Sequence, residues 1–175
     1  MSDLKFIFTG TPGVGKTTAI SMISEFDPVV TDVLTTDELS EQKEQTTVAM
    51  DFGEITLEDD EKIRLYGTPG QRRFKFMWEI LIDGGLGLVI LIDNSRENPL
   101  EDLDIYLDNF KDFILDAGAV VGVTRMQTHP SPDLDQYYAC LEKRGLDLPV
   151  LDIDVRDKDD VIMLLDALMA ISDYD

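Results

Sequence analysis

The run Leu4-Lys5-Phe6-Ile7-Phe8-Thr9, followed at once by Gly10-Thr11-Pro12-Gly13-Val14-Gly15-Lys16-Thr17, decides the fold. Its second part matches G-x-x-x-x-G-K-[ST] in full, and each residue type has a chemical reason. Glycines let the backbone wrap closely enough for its N–H groups to face phosphate oxygens. Lys16 brings a point charge to the terminal phosphates, and the Thr17 hydroxyl suits Mg²⁺. The context agrees: a short apolar strand precedes the loop, and a helical stretch from Lys16 to about Glu25 follows, adding its dipole. An ordinary glycine-rich turn has no need of a Lys-Thr pair. The residues expected against phosphates are Gly10, Pro12, Gly13, Val14, Gly15, Lys16, Thr17 and Thr18.

Outward from this loop, apolar runs alternate with helical stretches. Residues Thr31–Gln45 are polar and lack apolar periodicity, so they read as a long loop. Val48–Leu57 and Lys62–Tyr66 flank Glu58-Asp59-Asp60-Glu61 and read as a hairpin. Leu86–Ile92 is continuously apolar, as a strand buried on both faces must be. Ala119–Val123 and Leu148–Ile153 are the remaining strands. Helices are expected over Arg72–Ile82, Pro99–Asp116, Pro132–Arg144 (closed by Gly145) and Asp157–Ile171. The alternation predicts one α/β domain over residues 1–175, with six strands in a mostly parallel sheet and helices on both faces.

The composition narrows the function. Fifteen basic residues against 36 acidic ones give a net charge of −21, which repels nucleic acid and anionic lipid. The acidic excess serves either as a solvated surface or as a face for a basic partner. Cys140 is the only cysteine, so no internal disulfide can form, and no signal peptide or membrane anchor is legible. A cytoplasmic protein is expected. An acidic chain that binds a triphosphate must concentrate positive potential locally.

Tyr66-Gly67-Thr68-Pro69-Gly70-Gln71, at the end of the hairpin, resembles the second switch, D-x-x-G-Q, of Ras-superfamily GTPases. The resemblance implies a P-loop NTPase fold of the Ras-like G-domain type. It also implies that Gly70 meets the γ-phosphate and Gln71 orients the attacking water. Gly67 stands where the superfamily carries a Mg²⁺-linked aspartate. Bacterial Ras-like proteins of the MglA type, often associated with roadblock-domain partners, resemble the chain in lacking it. Asp51 either acts in its place through water or is a surface carboxylate. Thr46-Thr47-Val48-Ala49-Met50-Asp51-Phe52-Gly53 resembles a first switch, which makes Thr47, or its neighbour Thr46, a metal-side threonine beside Thr17. Arg72 and Arg73 either stabilise transition-state charge in cis or solubilise a helix start.

Ras-like proteins read guanine with N-K-x-D; here Thr124, Arg125 and Gln127 stand at those positions. Arg125 can stack on a purine, whereas Gln127 offers donor and acceptor in place of a carboxylate. Asp154-Val155-Arg156 resembles the S-A-K loop that backs the base, adding Val155 and Arg156 to the expected site. Trp78, with Phe74, Phe76 and Met77, is either core or an effector surface, and His129 reads as an inert loop residue. The expectation is a slow GTPase switch cycling between GTP and GDP and signalling to a protein effector, in polarity or motility. The alternatives are a nucleotide-binding module with little hydrolysis or relaxed ATP/GTP choice, and a P-loop kinase. A kinase needs a lid with clustered arginines, which the chain lacks.

Overall fold

A computed structural model of the chain describes residues 4–36, 45–69 and 75–171. Strand β1 (Leu4–Gly10) leads into helix α1 (Lys16–Ile23), then β2 (Val29–Thr36), β3 (Gln45–Thr56), β4 (Lys62–Gly67) and α2 (Lys75–Ile82). The chain continues through β5 (Gly87–Asp93), α3 (Pro99–Asn109), α4 (Lys111–Ala117), β6 (Ala119–Thr124), α5 (Leu134–Lys143), β7 (Val150–Asp152) and α6 (Lys158–Ile171). The strands form one sheet in the order β2-β3-β4-β1-β5-β6-β7. From β4 to β7 neighbours run parallel; β3 pairs antiparallel with β4 and with β2.

The mostly parallel α/β sheet expected from the sequence is present, with seven strands in place of six. The addition is β2, whose Thr31–Thr36 falls in the stretch read as a loop. It runs in register with β3 from Val29 opposite Phe52 to Thr36 opposite Gln45. An edge strand makes ladder bonds on one side only and need not show the continuous apolar run that marks a central strand.

Side chains alternate between two cores, as the period-two geometry of strands requires. Phe6, Phe8, Val89, Leu91 and Val120 pack against α1 and α6 through Ala19, Ile20, Leu164 and Leu168. Ile7, Leu88, Ile90, Ile92 and Val121 face the opposite layer, where Trp78, Leu103, Tyr106, Phe110 and Tyr137 meet them. The single helix expected over Pro99–Asp116 is two helices, broken at Phe110 (φ −110°, ψ 17°). Phe110 is buried and stacks on Trp78 at 5.3 Å, so core packing holds the break. Trp78 also donates from Nε1 to the Pro69 carbonyl at 2.9 Å. Trp78 and Met77 are therefore core residues; Phe74 lies outside the described residues. Among the described residues no helix is long and apolar enough to cross a membrane.

The carboxyl ends of the parallel strands converge on one rim, where ligands of open α/β sheets bind. A buried clamp sets the loop beyond β6. Asn94, just past β5, donates from Nδ2 to the carbonyls of His129 (2.6 Å) and Pro132 (3.0 Å) and accepts from the Tyr137 hydroxyl at 2.6 Å. Asp133 and Gln136 form a capping box that starts α5. His129 contributes its backbone carbonyl to this clamp, and its Nδ1 lies 2.9 Å from the Thr128 hydroxyl. Tyr137→Phe leaves the Asn94 carbonyl oxygen buried without this partner and should lower stability by about 1–3 kcal/mol. Urea denaturation checks it: an unchanged midpoint would show that the clamp does not hold the loop.

Candidate functional site

Between β1 and α1 the chain turns through Gly13 (φ 80°) and Gly15 (φ 112°), conformations that side chains other than glycine rarely adopt. A Cβ on Gly15 would also lie 2.8 Å from Val155 Cγ2, so this glycine lets the loop after β7 close onto the phosphate loop. Helix α1 starts without a side-chain cap and without acidic residues in its first turn. Its first N–H groups are left for an anionic partner.

Lys16 is buried. Its ammonium donates to the carbonyls of Gly10 at 2.7 Å and Thr11 at 3.1 Å. Burial pushes its pKa down to about 8, with the Asp51 carboxylate acting in the opposite sense. The positive charge of the site is thus already desolvated and held in place. Thr9 and Thr68 join β1 to the end of β4 through a buried hydroxyl pair at 2.8 Å.

Next to Lys16, the Thr17 hydroxyl donates to Asp51 Oδ2 at 2.5 Å. Asp51 sits on β3 directly opposite Gly67 of β4. A Cβ on Gly67 would come within 3.2 Å of Asp51 Cβ and 3.3 Å of Asp51 Oδ2. The Asp51 carboxylate therefore fills the room that a side chain at position 67 would take. The Asp51 carboxylate thus faces Thr17 of the phosphate loop. Asp51 and Gly67 meet through antiparallel register, sixteen positions apart in sequence.

Beyond the phosphate loop lies a pocket of about 500 Å³. Gly13, Val14, Gly15 and Thr18 form its near side, Thr124–Thr128 one wall and Asp152–Arg156 with Asp160 the other. Arg125 adopts a left-handed backbone (φ 64°). Its guanidinium is tied to Asp93 at 2.5 Å and to the Gly13 carbonyl at 3.4 Å. For Asp93, burial pushes the carboxyl upward, but hydrogen bonds from Ser95 and the Arg125 pair hold it below the usual range. Thr124 is buried and donates to the Ile92 carbonyl at 3.3 Å, while Gln127 is exposed. On the far wall the Asp160 carboxylate accepts the Asp154 N–H at 2.8 Å, and Asp154 pairs with Arg156.

The fold thus brings together Gly10, Pro12, Gly13, Val14, Gly15, Lys16, Thr17 and Thr18 with Thr124, Arg125, Gln127, Val155 and Arg156. Thr47 lies in β3 opposite Leu34. Gly70, Gln71, Arg72 and Arg73 lie outside the described residues. Asp51 and Asp154, both flagged by the sequence, are placed by strand register and by pairing with Arg156, and Asp93, which the sequence did not flag, joins the site through its pair with Arg125.

The fold is similar to that of the cytosolic domain of the Thermotoga maritima FeoB iron transporter in its GMPPNP form. That likeness has a TM-score of 0.64 at 15% identity, over 98% of this chain and 65% of that one. An uncharacterized protein of Methanocaldococcus jannaschii, MJ1339, is 33% identical over 104 residues, 59% of this chain and 59% of that protein. The Ras-related protein Rab-18 of Lymnaea stagnalis is 25% identical over 118 residues, 65% of this chain and 52% of that protein. Rab-8A of Gallus gallus is 25% identical over 135 residues, 75% of this chain and 52% of that protein. The chain therefore spans between 52% and 59% of the length of these curated relatives. Residues 8–103, more than half of the chain, match the family described as "conserved hypothetical ATP binding protein", and the chain belongs to that family.

Proposed function

We propose that the chain binds a nucleoside triphosphate with Mg²⁺, hydrolyses it slowly, and acts as a Ras-like switch on a protein partner. One observation carries this reading: a buried lysine, a preformed glycine loop and an open helix start face the same rim, next to a pocket of about 500 Å³ with room for a nucleoside. Together they provide for an anion with a ring attached. GTP and GDP are the proposed ligands, given the similarity to two Ras-related proteins. The MglA-related type, a roadblock-domain partner, a role in polarity or motility, and a cytoplasmic, bacterial setting belong to the same proposal. So does the exclusion of nucleic acid as a partner, on account of the net charge. A second reading, with ATP as the nucleotide, is favoured by the neutral amide of Gln127 and by the description of the family.

The donor set fits Mg²⁺, a hard cation held through few carboxylates plus phosphate oxygens. The Thr17 hydroxyl and the Asp51 carboxylate would hold it, and when bound it neutralises charge on the phosphoryl oxygens. Lys16 is set to exchange the Gly10 and Thr11 carbonyls for β- and γ-phosphate oxygens, which compensate the charge far better. By resemblance, Gly70 meets the γ-phosphate and Gln71 orients the attacking water, with Arg72 or Arg73 contributing charge. Thr47 is the proposed first-switch partner of the metal.

Three outcomes test this reading. Lys16→Ala should abolish triphosphate binding in calorimetry while the chain stays folded; undiminished affinity would remove the phosphate-loop reading. In the wild type, only protonated Lys16 attracts phosphate, and its free-state pKa is about 8. Affinity should therefore hold below pH 8 and fall as pH rises through that value, because each binding event must then take up a proton. A flat profile from pH 7 to about 9.5 would show that Lys16 is not the charge that counts. Asp51→Gly should weaken Mg²⁺-dependent triphosphate binding on the order of ten- to a hundredfold. Adding Gly67→Asp to that variant should restore much of it, since the new carboxylate enters the vacated room; failure of the pair would separate Asp51 from the metal.

A further inference from the structure

We infer that Asp154, on the wall after β7, reads the nucleotide base, and that it selects guanine through a two-donor edge that the Arg156 guanidinium occupies in the free protein. The inference rests on the nucleotide reading above and adds to it the base and the residue that chooses it.

Position 127, where a Ras-like chain carries its base-reading carboxylate, holds an amide. The carboxylates that line the pocket are Asp152, Asp154 and Asp160, all on the opposite wall. Asp160 is committed to the Asp154 N–H at 2.8 Å, which shapes the loop. Asp152 ends β7, exposed, and no donor reaches its carboxylate among the described residues. Asp154 differs from both. Its Oδ1 accepts from Arg156 Nε at 3.0 Å and its Oδ2 from Arg156 Nη2 at 2.8 Å. Each oxygen thus takes one N–H from a planar N–C–N unit, the side-on bidentate arrangement.

Guanine carries the same pattern. Its N1–H and 2-amino N–H sit on either side of C2, as Nε–H and Nη2–H sit on either side of the guanidinium carbon. A carboxylate shaped for one fork is shaped for the other. Adenine presents a 6-amino donor beside an unprotonated N1, and a carboxylate placed there meets one lone pair with another. The site therefore already contains the acceptor half of a guanine contact, filled by an internal stand-in.

Two further features suit exchange of the stand-in for a base. The Arg156 side chain is 80% exposed, and an ion pair in water holds weakly, so the guanidinium leaves at little cost. The carboxylate does not leave with it, because Oδ1 also accepts the Arg156 backbone N–H at 2.9 Å. The side-chain hydrogen bonds from Arg156, with its backbone N–H, hold the Asp154 carboxyl at about 2, so it is charged at any working pH. Across the pocket, Arg125 is tied to Asp93 and the Gly13 carbonyl, giving a fixed plane for a purine to stack on.

The test is equilibrium titration of the whole chain with Mg²⁺ and non-hydrolysable analogues of GTP, ATP and XTP. Wild type should favour GTP over ATP. Asp154→Asn should lose roughly ten- to a hundredfold in GTP affinity and gain in ATP affinity, because an amide donates to adenine N1 and accepts from its 6-amino group. The same variant should gain affinity for XTP, because an amide accepts from xanthine N1–H and donates to its 2-oxo group. Arg156→Ala removes the stand-in and should tighten GTP binding while leaving ATP unchanged. ATP affinity that is retained or raised in Asp154→Asn reports that the variant is folded. A GTP-to-ATP ratio that Asp154→Asn leaves as in wild type would overturn the assignment, with the Lys16-dependent nucleotide site still standing. Wild-type preference for ATP, or equal loss of GTP and ATP binding in Arg156→Ala, would overturn it as well. A wild type that binds no triphosphate overturns both readings together.

Discussion

Everything at the rim depends on the burial of one positive charge in a chain of net charge −21. The Lys16 ammonium is removed from water and compensated by two backbone carbonyls. Neutral dipoles satisfy a cation's hydrogen bonds without cancelling its charge, so the ammonium keeps its attraction for a stronger acceptor. Because β1 is flanked by β4 and β5, the loop that carries Lys16 sits at the centre of the sheet. The ends of β4, β5, β6 and β7 then stand around it, and Asp51 reaches it from within β3.

The parts legible in the sequence are those whose information is local. The phosphate loop is a contiguous run of eight residues with a strand on one side and a helix on the other, and both elements form as expected. The central strands announce themselves because burial on both faces demands unbroken apolar runs. Legibility stopped where the determining contact is distant. The break between α3 and α4 follows from Phe110 packing on Trp78, residues far apart in sequence. Strand β2 depends on a register with β3. Asp51 reads either as a stand-in for the missing aspartate or as a surface carboxylate until pairing sets it opposite Gly67, and Asp154 reads as part of a degraded S-A-K loop until Arg156 folds back on it. Gly67 itself was the visible clue, since a missing carboxylate in an otherwise intact pattern asks where the charge has gone.

Asp51 and Asp154 illustrate one constraint met twice. A site needs a group of given charge at a given point in space, and nothing requires it to come from a particular strand. On a sheet, residues opposite each other on neighbouring strands have Cβ atoms only about 5 Å apart. A carboxylate can therefore move from β4 to β3 while its oxygens reach the same place, provided the old position becomes small. Gly67 meets that condition: a Cβ there would press on Asp51 at 3.2 Å. The two positions are coupled by volume as well as by charge. The base pocket offers the same freedom between its two walls, with a neutral residue at 127 and a charged one at 154.

The remaining difficulty for an acidic chain that takes an anionic ligand is the field of its own carboxylates. Distant ones matter little, since screening in physiological salt acts over about 8 Å. Those on the rim matter, and three of them are engaged. Asp51 accepts from Thr17, Asp93 is paired with Arg125 and held by Ser95, and Asp154 is paired with Arg156. Each pairing lowers the repulsion that an approaching phosphate would feel, and each leaves the oxygens oriented. The pairings differ in how readily they are given up: the Arg125 pair is tied a second time through Gly13, whereas among the described residues the Arg156 guanidinium is anchored to Asp154 alone and stands in water. The first is built to persist when a ligand arrives, the second to be replaced. That contrast within one pocket separates a fixed platform from an exchangeable reader, and it follows from the exposure of two arginines on facing walls.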